Sequence, residues 1–253
     1  IIKLEAGEYL DKIKTKSKAI SIIGGGATLV VDPLVHTNQQ GVGNPVYISA
    51  LRYDEMSLAH TKDLVEVTIP QGTTTLTIKG EHTINTGAYL TLWDGWKRPA
   101  DSQEANYELV KVLRSSIISG NTVVTLCEGT ASNHKAEPNA IVNGQTKIIG
   151  AVNNAPLKNV FVTDLNTRIK QDNLRSVVSS VMIVGAESPF VSNVTTYENW
   201  GAAVWFLRCY EPEASRLRFK EPLLVDPLSQ MYGAAFNLCK HLKVQNVTAE
   251  GLR

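Results

Sequence analysis

The sequence predicts an all-β solenoid, in which short strands stack as successive turns of the chain. A phrase with two apolar anchors eleven residues apart recurs in the C-terminal third, and its copies begin at Ile183, Phe206 and Phe236. Alternating apolar residues, the period of a strand, occur along the whole chain. No window of about 12 residues keeps a helical period between capping signals. Irregular repeats built of β-rich phrases are typical of solenoids whose loops vary in length.

The repeat also predicts which side chains stack in the core. The second anchors of the three copies are Val194, Leu217 and Val247. A fourth copy is predicted upstream, where Ile149 and Val160 keep the same spacing. Equivalent positions of successive turns lie side by side in a solenoid, so we expect these anchors to form continuous apolar rows.

Other residue types recur in the same positions of the phrase. Asn159, Asn193 and Asn246 share one position, and stacked amides there can hydrogen-bond along the solenoid. Cys209 and Cys239 share another, and neighbouring parallel strands are close enough for a disulfide. The chain has three cysteines, an odd number that argues against a disulfide framework. We therefore expect two reduced, buried thiols.

Composition and charge exclude several functional classes. The 25 basic and 24 acidic residues give a net charge of +1, without the basic excess that a nucleic-acid partner requires. No apolar run approaches the roughly 18 residues that span a membrane. The five histidines are scattered and no cysteine pair has a metal-ligand spacing, so we expect no metal and no cofactor. The chain starts inside a strand-like phrase and ends without a polar cap, so we expect the natural protein to be longer.

The repeat phrase is missing from the middle of the chain. The stretch "LVEVTIPQGTTTLTIKG" contains two alternating strands around Gln71-Gly72, which indicates a hairpin, and further strands follow it. We predict three segments: the first solenoid rungs over 1–63, a small antiparallel β insertion over 64–135, and further rungs over 136–253.

The N-terminal phrase resembles a known family. In "IKLEAGEYLDK…KAISIIGGGATLV", the run Ala6-Gly7-Glu8-Tyr9 is followed by a strand that ends in Ile23-Gly24-Gly25-Gly26-Ala27. This pattern resembles the entry into a right-handed parallel β-helix of the pectate-lyase-like group. The middle phrase "GAYLTLWDG…YELVKVLRSSIISGNTVVTL" is similar to the inserted β-region of bacteriophage tailspikes and polysaccharide depolymerases.

The resemblance implies a fold and a function. It implies a right-handed parallel β-helix with a small antiparallel insertion, assembled as a homotrimer on a virion tail with other tail proteins. It also implies that the protein binds or cleaves a bacterial capsular or lipopolysaccharide glycan, by hydrolysis or by β-elimination. The shared motifs are structural, and none of them transfers a catalytic residue to this chain.

A candidate glycan site follows from the residues that depart from the repeat. Alternation directs Trp205 outward between the core positions Val204 and Phe206, with Arg208 nearby. The flat face of an indole ring suits the C–H face of a sugar. Packing of this ring under a loop or against another subunit remains the alternative.

Acidic residues near this tryptophan are candidates for catalysis. Hydrolysis of a glycosidic bond needs two carboxylates, and we assign these roles to Glu198 and Glu211. Trp200, Asp226 and Tyr232 complete the predicted substrate-binding set with Trp205 and Arg208. Three competing hypotheses remain: a receptor module without catalysis, a structural segment of the tail shaft, and a cellular enzyme of the pectate-lyase-like group.

Overall fold

The computed structural model describes residues 1–16, 18–31, 44–50, 61–97, 105–136, 148–169, 179–197, 202–220 and 232–250. All regular elements among these residues are β-strands. The chain forms two compact units: a first unit of residues 1–50 and 157–253, and a second unit of residues 51–156.

The first unit is a parallel β-helix with two sheets. Sheet A contains β1 (Ile2–Lys3), β2 (Glu8–Tyr9), β4 (Ile22–Ile23), β5 (Thr28–Val31), β15 (Phe161–Ile169), β17 (Phe190–Tyr197), β19 (Glu213–Lys220) and β21 (Lys243–Glu250). Sheet B contains β3 (Ile13–Lys16), β6 (Val46–Ser49), β16 (Val181–Val184), β18 (Ala202–Leu207) and β20 (Tyr232–Asn237). The chain alternates between the two sheets, and every pairing within them is parallel.

The predicted anchors stack in rows, and Ile183, Phe206, Val194 and Leu217 are fully buried in the core of this unit, whereas Phe236 is half-buried and Val247 is 38% exposed. In sheet B, Ile183, Phe206 and Phe236 are register partners. The rings of Phe206 and Phe236 stack with centroids 5.3 Å apart. In sheet A, Val194, Leu217 and Val247 are register partners in the same way. The eleven-residue spacing is confirmed, because it connects the core position of one sheet with the core position of the next.

The predicted fourth copy is wrong. Ile149 lies in β14 (Ile149–Asn153), which pairs antiparallel with two strands of the second unit. The register places Leu165, rather than Val160, beside Val194. Spacing along the sequence reproduced the repeat here by coincidence, since spacing alone carries no information about the pairing partner of a strand.

The repeat position at which asparagine recurs has a left-handed backbone conformation. Asn193, Arg216 and Asn246 have φ angles of 53°, 51° and 53°. The register places Asp164, at φ 56°, in this row, so the prediction for Asn159 is wrong. Asn and Asp tolerate left-handed backbone better than other non-glycine residues, which explains their recurrence. Asn193 Nδ2 does donate along the solenoid, at 2.7 Å, but its acceptor is the carboxylate oxygen Oδ1 of Asp164 rather than a stacked asparagine.

The two stacked cysteines lie in the short turns that lead from sheet B to sheet A. Both thiols are free, and Cys209 is fully buried while Cys239 is half-buried. Burial raises the pKa of the Cys209 thiol well above its usual value, with a further contribution from its hydrogen bond with Cys239. Cys209 is therefore an inert core residue rather than a nucleophile.

The second unit is antiparallel. Its main sheet has the order β7 (Thr61–Asp63), β14, β10 (Tyr89–Lys97), β11 (Ala105–Ile118), β12 (Asn121–Leu126) and β9 (Thr75–Ile78), and a separate ribbon pairs β8 (Thr68–Ile69) with β13 (His134–Lys135). A bridge between Leu64 and Ile78 connects the two edges of the main sheet around a common apolar core. Along the chain, this unit occupies the connection between β6 and β15. Its limits, Leu51 and Pro156, are wider than the predicted 64–135.

Candidate functional site

The outward surface of sheet A is open and polar. We call this surface the sheet A face and define it by the outward side chains of β15, β17, β19 and β21. They alternate with buried residues such as Val191 and Leu217. The polar and aromatic members are Asp164, Asn166, Arg168, Asn193, Thr195, Tyr197, Glu213, Arg216, Arg218, Lys220, Lys243, Gln245, Asn246, Thr248 and Glu250. Parallel pairing aligns them in rows with a spacing of about 4.8 Å.

Most cations of the sheet A face are paired with a carboxylate. Lys243 Nζ lies 3.2 Å from Glu213 Oε1. Lys220 Nζ lies 3.8 Å from Glu250 Oε2. These pairs connect neighbouring strands on an exposed surface, where each contributes at most about 1 kcal/mol.

Two arginines on β19 differ from the other cations. Arg216 and Arg218 are both exposed, and no carboxylate pairs with either of them in the described part of the chain. The Arg216 guanidinium donates to the hydroxyl of Ser192 at 3.1 and 3.2 Å. The Ser215 hydroxyl donates to the same oxygen at 2.9 Å. The face thus presents two positive charges that the described residues do not neutralise.

An aromatic ring lies beside these arginines. Tyr197 is half-buried at the end of β17, and its register partner is Lys220. The Arg168 guanidinium lies 5.6 Å from the centre of the Tyr197 ring, in the range of a cation–π contact. Arg168 also pairs with Glu8 at 3.1 Å. The ring is therefore held between two neighbouring strands at the edge of the face.

Trp205 lies on the other sheet. It alternates with Val204 and Phe206, which are fully buried, and it is itself half-buried. Its indole Nε1 is shielded from solvent and has no hydrogen-bond partner among the described residues. Its register partners Met182 and Ala235 are half-buried as well, and Tyr47, on the strand beyond Met182, is 5% exposed. A sugar platform needs an open ring face, and sheet A provides a more open surface than sheet B.

Two other predicted residues lie in the turn after β18. Arg208 has a left-handed φ of 54°, and its backbone N–H donates to the Asn237 carbonyl. Glu211, also left-handed at φ 52°, is exposed and accepts a hydrogen bond from the Ser188 hydroxyl at 3.1 Å. Glu211 therefore has an accessible carboxylate that a neighbouring rung positions.

Of the four remaining predicted residues, Tyr232 lies among the described residues. Tyr232 is the first residue of β20, and its backbone pairs with Ala202. Glu198, Trp200 and Asp226 lie outside the described residues.

Sequence reasoning missed the arginine pair. The stretch "EASRLRFK" alternates around the anchor Leu217, and this pattern already predicts that Arg218 points outward. The repeat also shows that Arg216 occupies the position held by Asn193 and Asn246. These two signals were sufficient to identify both arginines. The sequence does not show which of the neighbouring cations form ion pairs with carboxylates.

The second unit contains a buried charged cluster. His134 is 0% exposed and lies between Asp94 and Glu108, with Nδ1 3.4 Å from Asp94 Oδ2 and Nε2 3.1 Å from Glu108 Oε2. Burial lowers the pKa of His134, but the hydrogen bonds to the two carboxylates outweigh it and raise the pKa to about 9. Backbone N–H groups of Ala131 and Ser132 also donate to Glu108. This cluster joins β10, β11 and β13 at the end of the core.

The described residues contain no group of three or more His, Cys, Asp or Glu that could hold a metal ion. They also contain no helix long and apolar enough to cross a membrane.

The chain is similar in structure to phage tailspikes. The tailspike protein gp49 of Pseudomonas phage LKA1 has a TM-score of 0.62 and 14% identity, and the alignment covers 97% of this chain and 36% of the tailspike. The tailspike gp61 of Pseudomonas phage phi297 has a TM-score of 0.51 and 12% identity, with 95% and 37% covered. No protein-family model matches the chain, and no curated protein matches its sequence. The chain spans about a third of the length of these two tailspikes and has their parallel β-helix fold.

Proposed function

We propose that the protein is part of a phage tailspike that binds a bacterial surface polysaccharide, a capsular or lipopolysaccharide glycan, and degrades it. The observation that carries this proposal is the sheet A face, where amide, hydroxyl, guanidinium and phenol groups form aligned rows. A polysaccharide offers hydroxyl groups and C–H faces at regular intervals along an extended chain. A rigid strand ladder matches such a repetitive ligand without the entropy loss of ordering flexible loops.

The fold supports the part of the proposal that concerns location and assembly. The two tailspikes described above have the same fold as this chain, so a location in the virion tail, assembly as a homotrimer and contact with other tail proteins belong to the same proposal. For degradation by hydrolysis, Glu198 and Glu211 remain the proposed acid and base. Glu211 has the exposure that a catalytic carboxylate requires.

A receptor that binds without cleavage is the second candidate, and the sheet A face favours it. The aligned amide, hydroxyl and guanidinium groups of this face suit binding of a glycan whether or not the glycan is then cleaved.

A panel of purified capsular and lipopolysaccharide glycans tests the proposal. The complete protein is incubated with each glycan, and binding, new reducing ends and the ultraviolet absorbance of unsaturated uronates are recorded. Reducing ends alone support hydrolysis, and reducing ends with absorbance support β-elimination. Binding without either signal supports the receptor. Absence of binding across a broad panel contradicts the proposed function.

The catalytic assignment has its own test. Removal of a general acid or base costs roughly 100-fold or more in rate, so Glu198→Gln and Glu211→Gln should each reduce cleavage by at least that factor while binding is retained. Glu81→Gln is a matched control, because Glu81 is exposed in the second unit. Full activity in both active-site variants contradicts the assignment of this pair.

A further inference from the structure

We infer that the glycan is anionic, and that Arg216 and Arg218 bind the carboxylate of an acidic sugar while Tyr197 packs against a sugar ring. This inference rests on the proposed function and adds a substrate class to it. The three side chains lie on neighbouring strands of the sheet A face, β17 and β19.

The charge balance of the face is the first support. The lysines at positions 220 and 243 and Arg168 each have a carboxylate partner. Arg216 and Arg218 have none among the described residues, although they are exposed and two residues apart on one strand. A guanidinium presents donors in a planar fork that matches a carboxylate. Two such groups side by side, without an internal anion, fit an anion supplied by a ligand.

The backbone of Arg216 is the second, independent support. Arg216 has a φ of 51° in a row whose other members are Asp164, Asn193 and Asn246. Left-handed backbone costs an ordinary L-residue roughly 1–2 kcal/mol, and Asn or Asp tolerates it better. An arginine at this position is therefore unfavourable for folding. The conformation itself is a structural feature of every rung; what distinguishes this rung is a charged guanidinium where its neighbours have Asp or Asn.

Tyr197 is half-buried with the Arg168 guanidinium 5.6 Å from its ring centre, and the part of the ring that Arg168 does not cover supplies the apolar surface. The register partner of Tyr197 is Lys220, and Arg218 is the diagonal neighbour, two residues away on β19. Diagonal neighbours in a sheet are about 7–8 Å apart at Cα. One sugar ring on the phenol and the carboxylate of an adjacent sugar on Arg218 can span this distance.

The same face argues against a nucleic acid. Asp164, Glu213 and Glu250 lie among its cations, so a backbone with a charge on every nucleotide would meet several carboxylates. A polysaccharide with one carboxylate per repeating unit meets only the arginine pair. The arrangement therefore fits sparse negative charge on an otherwise neutral, hydroxylated chain.

The experiment measures binding of the complete protein to immobilised glycans. The probes are uronate-containing capsular polysaccharides, their carboxyl-reduced forms and neutral capsular polysaccharides. We expect the best-bound uronate polysaccharide to lose at least about 10-fold in affinity on carboxyl reduction, since a hydrogen bond to a charged group contributes about 1.5–3 kcal/mol. Arg216→Asn and Arg218→Gln should each lower the affinity for the unreduced polysaccharide about 10-fold and should change the affinity for its reduced form little.

The outcomes distinguish this inference from the proposed function. Arg114→Gln, an exposed arginine of the second unit, is the matched control and should leave affinity unchanged. Arg216→Asn should also fold, because Asn suits the left-handed position. If the affinity is unchanged by carboxyl reduction of the glycan, or by both arginine substitutions, the inference is overturned and the proposed function stands. No binding to any probe overturns both. A changed oligomeric state of the double variant, measured by light scattering, would make the face a subunit contact and would also overturn the inference.

Discussion

At the scale of single residues, the buried cluster around His134 shows how an ionic group is tolerated in a core. His134 Nε2 and Nδ1 each face a carboxylate, and the Lys135 N–H also donates to Asp94 Oδ2 at 3.3 Å. Burying charge is costly unless its partners are hydrogen-bonded in good geometry. The backbone donors around Asp94 and Glu108 meet part of that requirement.

The cluster predicts a pH dependence of stability. Because the pKa of His134 is raised from 6.5 to about 9, the folded state holds this proton more tightly than the unfolded chain. The resulting stabilisation is fully present below pH 6.5 and is lost as the pH rises through about 9. We expect a loss on the order of 3 kcal/mol across this window. Urea denaturation of the complete protein at a series of pH values measures it.

His134→Gln is the control for this prediction. Its free energy of unfolding should be lower at neutral pH and should change much less between pH 6.5 and 9 than that of the parent protein. Parallel pH profiles of the two proteins would show that His134 does not carry the effect.

At the scale of an element, the left-handed row of sheet A explains the recurrence of asparagine. Each of the sheet A strands β15, β17, β19 and β21 is interrupted at one residue with φ between 51° and 56°. The pairing resumes beyond it in the same register on every rung. The interruption is thus a shared feature of the ladder, and the residue type at this position is selected by backbone conformation.

Replacement of Asn193 by valine tests this explanation. A β-branched residue is poorly accommodated at φ 53°, and the hydrogen bond to Asp164 is lost as well. We expect Asn193→Val to lower the free energy of unfolding by about 2–3 kcal/mol, measured by urea denaturation. Asn193→Gly removes the same hydrogen bond but permits the conformation, so it should cost only about 1 kcal/mol. Equal losses in the two variants would contradict the conformational argument.

At the scale of the whole molecule, the chain combines a repetitive unit with a non-repetitive one. The β-helix repeats a connection of a few residues between sheet B and sheet A, as in Gly185–Pro189 between β16 and β17. Between β6 and β15 the same connection contains residues 51–156, which have their own strands and core. This connection can be a tight turn on one rung and a whole folded unit on another, because in both cases it joins two strands of the same rung.

The second unit should therefore fold alone. Its core includes Leu76, Leu90, Leu92, Val110 and Val124, all with at most 1% exposure. Such a core is the property that permits independent folding. We expect residues 51–156, produced separately, to give a β-sheet circular dichroism spectrum and a cooperative thermal transition. A spectrum of a disordered chain would show that this unit depends on the β-helix for its structure.

The candidate site was predictable only in part. Alternation correctly directed Val204 and Phe206 into the core, but it could not show that Trp205 is half-buried between Met182 and Ala235. Glu211 was selected as an acid in a turn, and its hydrogen bond from Ser188 comes from a residue 23 positions away. Alternation depends on neighbouring residues, whereas burial depends on segments that are distant in the chain.

The sequence by itself determined the all-β solenoid, because strand periodicity and the eleven-residue repeat are local properties that every rung repeats. It also determined the core rows that begin at Ile183 and Val194. Only the tertiary structure decided that Ile149 belongs to the antiparallel unit and that sheet A carries the open face. It also decided that no carboxylate among the described residues pairs with Arg216 or Arg218. Those facts depend on register and long-range pairing, which the order of residues along one strand does not specify.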